Sequence, residues 1–209
     1  MRKTQPKNLA CTYIGRYDYS WWRWDVQAWD AIVHLANISP ERVILTAKGN
    51  NCRLLYCSSG AVYHQFPDAY GMAKRQREAM CLNAWRNVVV ARLFTFFNAP
   101  GHACAEFIKE ARKGWPVRIW GDGTAVRSYM HPREMARWMW AILLRGRSGE
   151  AYDVGSDKPI TMLELARMVT DRWPAPILIE NGVDRVPVYL PKGIEKTRKL
   201  LTCGRIQII

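Results

Sequence analysis

Residues 53–84 constrain the fold of this chain more than any other stretch. Arg53–Ser58, reading RLLYCS, is short, apolar after its arginine and closed by Ser-Ser-Gly, which fits a strand buried in a parallel sheet. HQFPDA at 64–69 carries a Pro-Asp turn signal. From Tyr70 the run YGMAKRQREAMCLNAW reads as a helix with Ala73, Met80, Leu82 and Ala84 among polar residues. The prediction is an α/β chain whose strand ends, with Ser58 and Ser59, at the crevice where open α/β sheets bind ligands.

Tyr70 and Lys74 fall at i and i+4, so both side chains leave one helical face, and Ser59 can meet that face at the strand end. These residue types suit proton transfer at a hydroxyl. A free phenol titrates near ~10, a neighbouring ammonium favours the phenolate, and a serine hydroxyl can hold the reacting oxygen in line. A tyrosine four residues before a lysine also arises by chance in many chains, so the surrounding sequence must carry the assignment.

Six segments do so in order: DAIVHLA (30–36), YCSSGAVY (56–63), YGMAK (70–74), VARLFTFF (90–97), VRIWGDGTAVRSY (117–129) and EAYDVG (150–155). Over roughly residues 28–202 the chain resembles an extended short-chain dehydrogenase/reductase, in particular the NAD-dependent nucleotide-sugar epimerase/dehydratase group. The resemblance implies a catalytic serine at Ser59, an acid/base tyrosine at Tyr70, and at Lys74 the lysine that supports the tyrosine and holds the nicotinamide ribose. Leu35 and Ala36 resemble positions lining the dinucleotide, and Ser58, a second hydroxyl or a strand-end turn residue, falls on the cofactor side with Tyr70 and Lys74. Thr95, Glu106 and Arg127 fall on the substrate side, Arg127 as a guanidinium fork for the diphosphate. The implied activity is oxidation of a sugar hydroxyl with NAD, followed by epimerisation or elimination, with homodimerisation as a further family trait. Family members often carry Asn where Thr95 and Glu106 stand here, and a longer segment between Tyr63 and Tyr70.

The beginning of the chain departs most. A dinucleotide fold opens with a strand, a glycine-rich loop and a helix whose amino end meets the pyrophosphate, whereas residues 1–29 hold one glycine, Gly15. Asp25, five residues before Asp30, reads as a surface carboxylate rather than an adenine-side acid. The expected architecture is therefore a Rossmann-like parallel sheet with flanking helices, lacking the first glycine-loop unit, plus a small substrate-side lobe. The expected divisions are an atypical segment over 1–29, a partial core over 30–100, and a substrate-binding side with the C-terminal segment over 101–209. NAD, if bound, is expected to be held weakly.

Downstream, His131, read as a capping or surface histidine rather than one reaching the pocket beside Arg127, precedes a helix-starting Pro132, with Met135, Trp138, Met139 and Ile142 as one stripe before Gly146. Thr161 and Glu164 read as a capping box, with Ile160 and Leu165 as its hydrophobic staple. VPVYLPKG (186–193) reads as a loop before a final short helix. No apolar run reaches the ~18 residues of a membrane span; the longest, WMWAILL at 138–144, lies between two arginines. Met1–Ala10 is followed by no apolar stretch, so no signal peptide is expected. Six cysteines without a CxxC pair indicate neither a zinc site nor a disulfide framework, which suits a reducing cytoplasm. The net charge of +13 suits an anionic substrate. It also permits nucleic-acid binding through stretches such as YDYSWWRW, but the charges are dispersed and no nucleic-acid motif occurs, which argues against that class. The other alternative is a catalytically inactive remnant of the enzyme fold.

Overall fold

The computed structural model describes residues 29–64, 68–97, 99, 101–180, 182 and 188–202. Along the chain its elements are β1 (Ala31–His34), α1 (Glu41–Gly49), β2 (Arg53–Ser59), a 3-10 turn (Gly60–Tyr63), α2 (Ala69–Ala84), β3 (Val88–Leu93) and α3 (Ala103–Arg112). There follow β4 (Val117–Trp120), β5 (Val126–Arg127), α4 (Pro132–Arg145), β6 (Ala151–Val154), β7 (Ile160–Thr161), α5 (Met162–Arg172), β8 (Ile177–Glu180), β9 (Val188–Tyr189) and α6 (Ile194–Thr202). The expectations about Gly15 and Asp25, and the Pro67 part of the turn expected over 64–69, lie outside the described residues.

Strands β1, β2, β3 and β6 lie side by side in that order, all parallel. The period of two along each strand sorts its side chains between two cores. Leu54, Tyr56, Val88 and Val90 pack with Val43, Ile44 and Ala47 of α1. Leu55, Cys57, Val89 and Ala91 pack on the other face with Met135, Trp138 and Ile142 of α4. Covering both faces is why these strands read as continuous apolar runs, and each fully buried aliphatic side chain contributes about 1.5–3 kcal/mol. A third core joins α3, α5 and β4 around Phe107, Val117, Ile119 and Leu165, with a β4–β8 pair and a three-stranded β7–β5–β9 sheet beside it.

Several local expectations hold. His131 caps α4, its Nδ1 accepting from the Arg133 N–H at 3.2 Å, and Pro132 opens the helix. The capping box of Thr161 and Glu164 is complete. One expectation needs correction. The 186–193 stretch is not all loop, because Val188–Tyr189 pairs in parallel with β5. Helix α2 forms as expected; its fully buried positions are Gly71, Lys74, Glu78 and Cys81, while Met80, Leu82 and Ala84 are partly buried against the α1-side core. Among the described residues the cysteines are free and buried, no cluster of ligating side chains could hold a metal ion, and no helix is long and apolar enough to cross a membrane.

Candidate active site

Strand β2 is buried from Leu54 to its end, which delivers Ser58 and Ser59 to the carboxyl edge of the sheet. There Ser59 caps the 3-10 turn, its Oγ accepting from the Ala61 N–H at 3.2 Å. The next residue is glycine for a steric reason: a Cβ on Gly60 would stand 2.4 Å from the ring of Phe94. Asp68 then starts α2 by accepting from the Gly71 N–H at 2.8 Å, and the first turns of that helix carry Tyr70 and Lys74.

A cleft of about 640 Å³ opens at this edge, its lining including Leu35, Ser58, Ser59, Tyr70, Lys74, Thr95 and Arg127. The Lys74 side chain is buried. Its Nζ donates to the Cys57 carbonyl at 3.0 Å and lies 5.8 Å from the centre of the Tyr70 ring and 5.5 Å from that of Tyr56. Burial lowers its pKa, the Cys57 thiol opposing and the Arg77 charge adding to that effect. Burial also pushes the Cys57 thiol up to about 12, so this cleft-lining cysteine is an inert thiol at neutral pH. Tyr70 is exposed to the cleft. Ser58 is buried, and its Oγ has no hydrogen-bond partner among the described residues. Arg127, on the middle strand of the β7–β5–β9 sheet, donates from Nη1 to the Val126 carbonyl at 2.9 Å.

The other candidates fall nearby. Thr95 and Arg127 also line a second cleft of about 980 Å³ between α3 and β4. Glu106 faces that second cleft, paired with Lys109 at 3.0 Å, and not the one holding Ser59. Ala36 follows Leu35 but lines neither cleft.

Sequence reasoning missed His64, His102 and Tyr189, which also line the first cleft. His64 directly follows the AVY segment, a signal available in the sequence. Tyr189 had none, because its placement depends on β9 pairing with β5. Also unforeseen is a polar relay behind the site. Glu78 accepts from Arg92, Arg92 donates to the Tyr63 hydroxyl at 2.7 Å, and that hydroxyl donates to Asp153 at 2.8 Å. Asp153 in turn accepts from the Lys192 and Gly193 N–H groups, each at 2.8 Å.

A dTDP-glucose 4,6-dehydratase of Streptomyces niveus is 27% identical to 56% of this chain, the match spanning 41% of that protein. The chain thus spans well under two thirds of this relative's length. Among solved structures, the dTDP-glucose 4,6-dehydratase of Bacillus anthracis, in complex with NAD, gives a TM-score of 0.73 at 18% identity, covering 81% of this chain and 65% of its own. A UDP-glucuronic acid 4-epimerase variant of Bacillus cereus, in complex with UDP-4-deoxy-4-fluoro-glucuronic acid and NAD, gives 0.73 at 20% identity, covering 82% and 69%. At these identities the likeness to solved structures speaks to fold alone. The NAD dependent epimerase/dehydratase family model matches residues 19–155, a span that holds Ser59, Tyr70, Lys74 and Arg127, and the chain therefore belongs to that family.

Proposed function

We propose that this chain carries the proton-transfer and substrate-binding side of an NAD-dependent enzyme acting on a nucleoside-diphosphate sugar. The observation that supports this most is the convergence of Ser59, Tyr70, Lys74, Thr95 and Arg127 on one cleft. The chemistry of the donor set fits the nicotinamide end of the cofactor. An ammonium has three donors, of which Lys74 gives one to the Cys57 carbonyl. The buried Ser58 hydroxyl has no protein partner among the described residues. Lys74 and Ser58 would hold the nicotinamide nucleotide, with Leu35 against it. When bound, NAD supplies the two-electron acceptor for the hydride leaving a sugar carbon.

The chain's own residues handle the proton and the charge. Tyr70 takes the proton from the hydroxyl on that carbon. Ser59 steadies the same oxygen as it becomes a carbonyl, and Arg127 holds the diphosphate. Such an arrangement serves either epimerisation or dehydration, since both begin with this oxidation.

Two measurements test the reading. Arg127→Ala is expected to weaken calorimetric binding of UDP or dTDP by about 1.5–3 kcal/mol, the value of a charge-assisted hydrogen bond; equal binding by variant and parent would remove Arg127 from the site. Tyr70→Phe is expected to bind NAD as the parent does while losing nucleotide-sugar-dependent reduced-nicotinamide absorbance. Unchanged reduction by this variant would refute Tyr70 as the base.

A further inference from the structure

The hydroxyl of Ser59 has a neighbour that the family resemblance does not supply. Tyr189 Oη lies 3.2 Å from Ser59 Oγ, which also accepts from the Ala61 N–H at 3.2 Å. The tyrosine ring is wedged between Phe94, at 5.0 Å between ring centres, and His64, at 5.5 Å. Its backbone is registered against Arg127 across the β5–β9 pair. We propose that Tyr189 is a positioning residue: its hydroxyl donates to Ser59 Oγ and, with the Ala61 N–H, fills the acceptor side of that oxygen, so that the Ser59 proton points to the ligand.

The argument is one of capacity. A serine hydroxyl has one donor and two acceptor positions. If Ser59 donated to Tyr189, nothing would remain to donate to a sugar oxygen, and the phenol proton would have no acceptor among the described residues. The reverse direction satisfies both groups and frees the serine proton. Burial raises the Tyr189 pKa above its ordinary value, which keeps the phenol protonated and able to donate at neutral pH. Because β9 seats Tyr189 beside Arg127, the same short strand links diphosphate capture to the orientation of the Ser59 hydroxyl.

This inference rests on the reading that Ser59 faces the substrate, and the test separates the two. Tyr189→Phe retains the ring packing and removes only the hydroxyl. Its kcat is expected to fall about three- to ten-fold, the worth of one hydrogen bond, with KM within about two-fold, and the loss is expected to vanish in a Ser59→Ala background. An equal loss in both backgrounds, or a change in KM alone, would overturn the proposal. A second arm needs no turnover. In protein labelled with carbon-13 at tyrosine Cζ, the titration of the resonance absent from Y189F is expected to shift between the parent and S59A, and an unmoved titration would overturn the pairing. Parental kcat in S59A would sink both the pairing's role and the Ser59 reading beneath it, whereas an additive Y189F loss beside an impaired S59A would sink only the former.

Discussion

Lys74 is a cation held inside the protein, 4% exposed and close to the Tyr56 and Tyr70 rings. Its pKa is lowered from the ordinary 10.5, first by burial. In the window between the lowered folded value and 10.5, the unfolded chain holds the lysine proton more fully than the folded one. Stability therefore rises with pH across that window. Lys74→Met fills similar space without the charge and is expected to lack this contribution. The stability of the parent relative to K74M should accordingly increase towards alkaline pH, with a slope below about 1.4 kcal/mol per pH unit. Urea unfolding of both proteins at a series of pH values measures it, and a difference that stays level with pH would show that the ammonium is not desolvated in the fold.

Helix α2 docks on the sheet through charges as well as through apolar contacts. Glu78 is buried beneath it and paired with Arg92 of β3, which also reaches the Tyr63 hydroxyl. Asp153 on β6 completes the connection and anchors the backbone at Lys192 and Gly193, just after β9. The helix bearing Tyr70 and Lys74 and the strand bearing Tyr189 are thus tied to one relay. Glu78→Gln leaves the guanidinium without its carboxylate and is expected to cost about 3 kcal/mol. A loss in urea unfolding below about 1 kcal/mol would place the pair with ordinary surface bridges. Only part of this docking was legible in the sequence: Met80, Leu82 and Ala84 do pack against the core, but no apolar period marks Lys74 and Glu78 as buried.

At the scale of the molecule, the two halves of the chain share one core. β6 pairs with β3, from Val90↔Ala151 to Leu93↔Val154, and Tyr152 and Val154 are buried with Leu55 and Val89. Leu200 and Leu201 of α6 pack against the same cluster. A chain ending at residue 149 would lose β6 and α6 and bare the β3 edge. Such a chain is expected to show no cooperative unfolding transition by tryptophan fluorescence in urea. A sigmoidal transition at the parent's midpoint would show that the first half folds independently.

The sequence by itself determined what local rules govern. The apolar β2 run, the i, i+4 placing of Tyr70 and Lys74, the Pro132 start and the Thr161–Glu164 box all depend on neighbours within a few residues, so each was readable from composition and spacing. The ordered motifs carried the family as well. Only the tertiary structure decided which distant groups meet. Tyr189 reaches Ser59 across 130 positions and Asp153 reaches Tyr63 across 90. Glu106 turns away into the neighbouring cleft, while Arg127 borders both. Hydrogen bonds of that span leave no periodic mark on a chain, because they are fixed by the register of β9 on β5 and of β6 on β3 rather than by any local preference of the residues that make them.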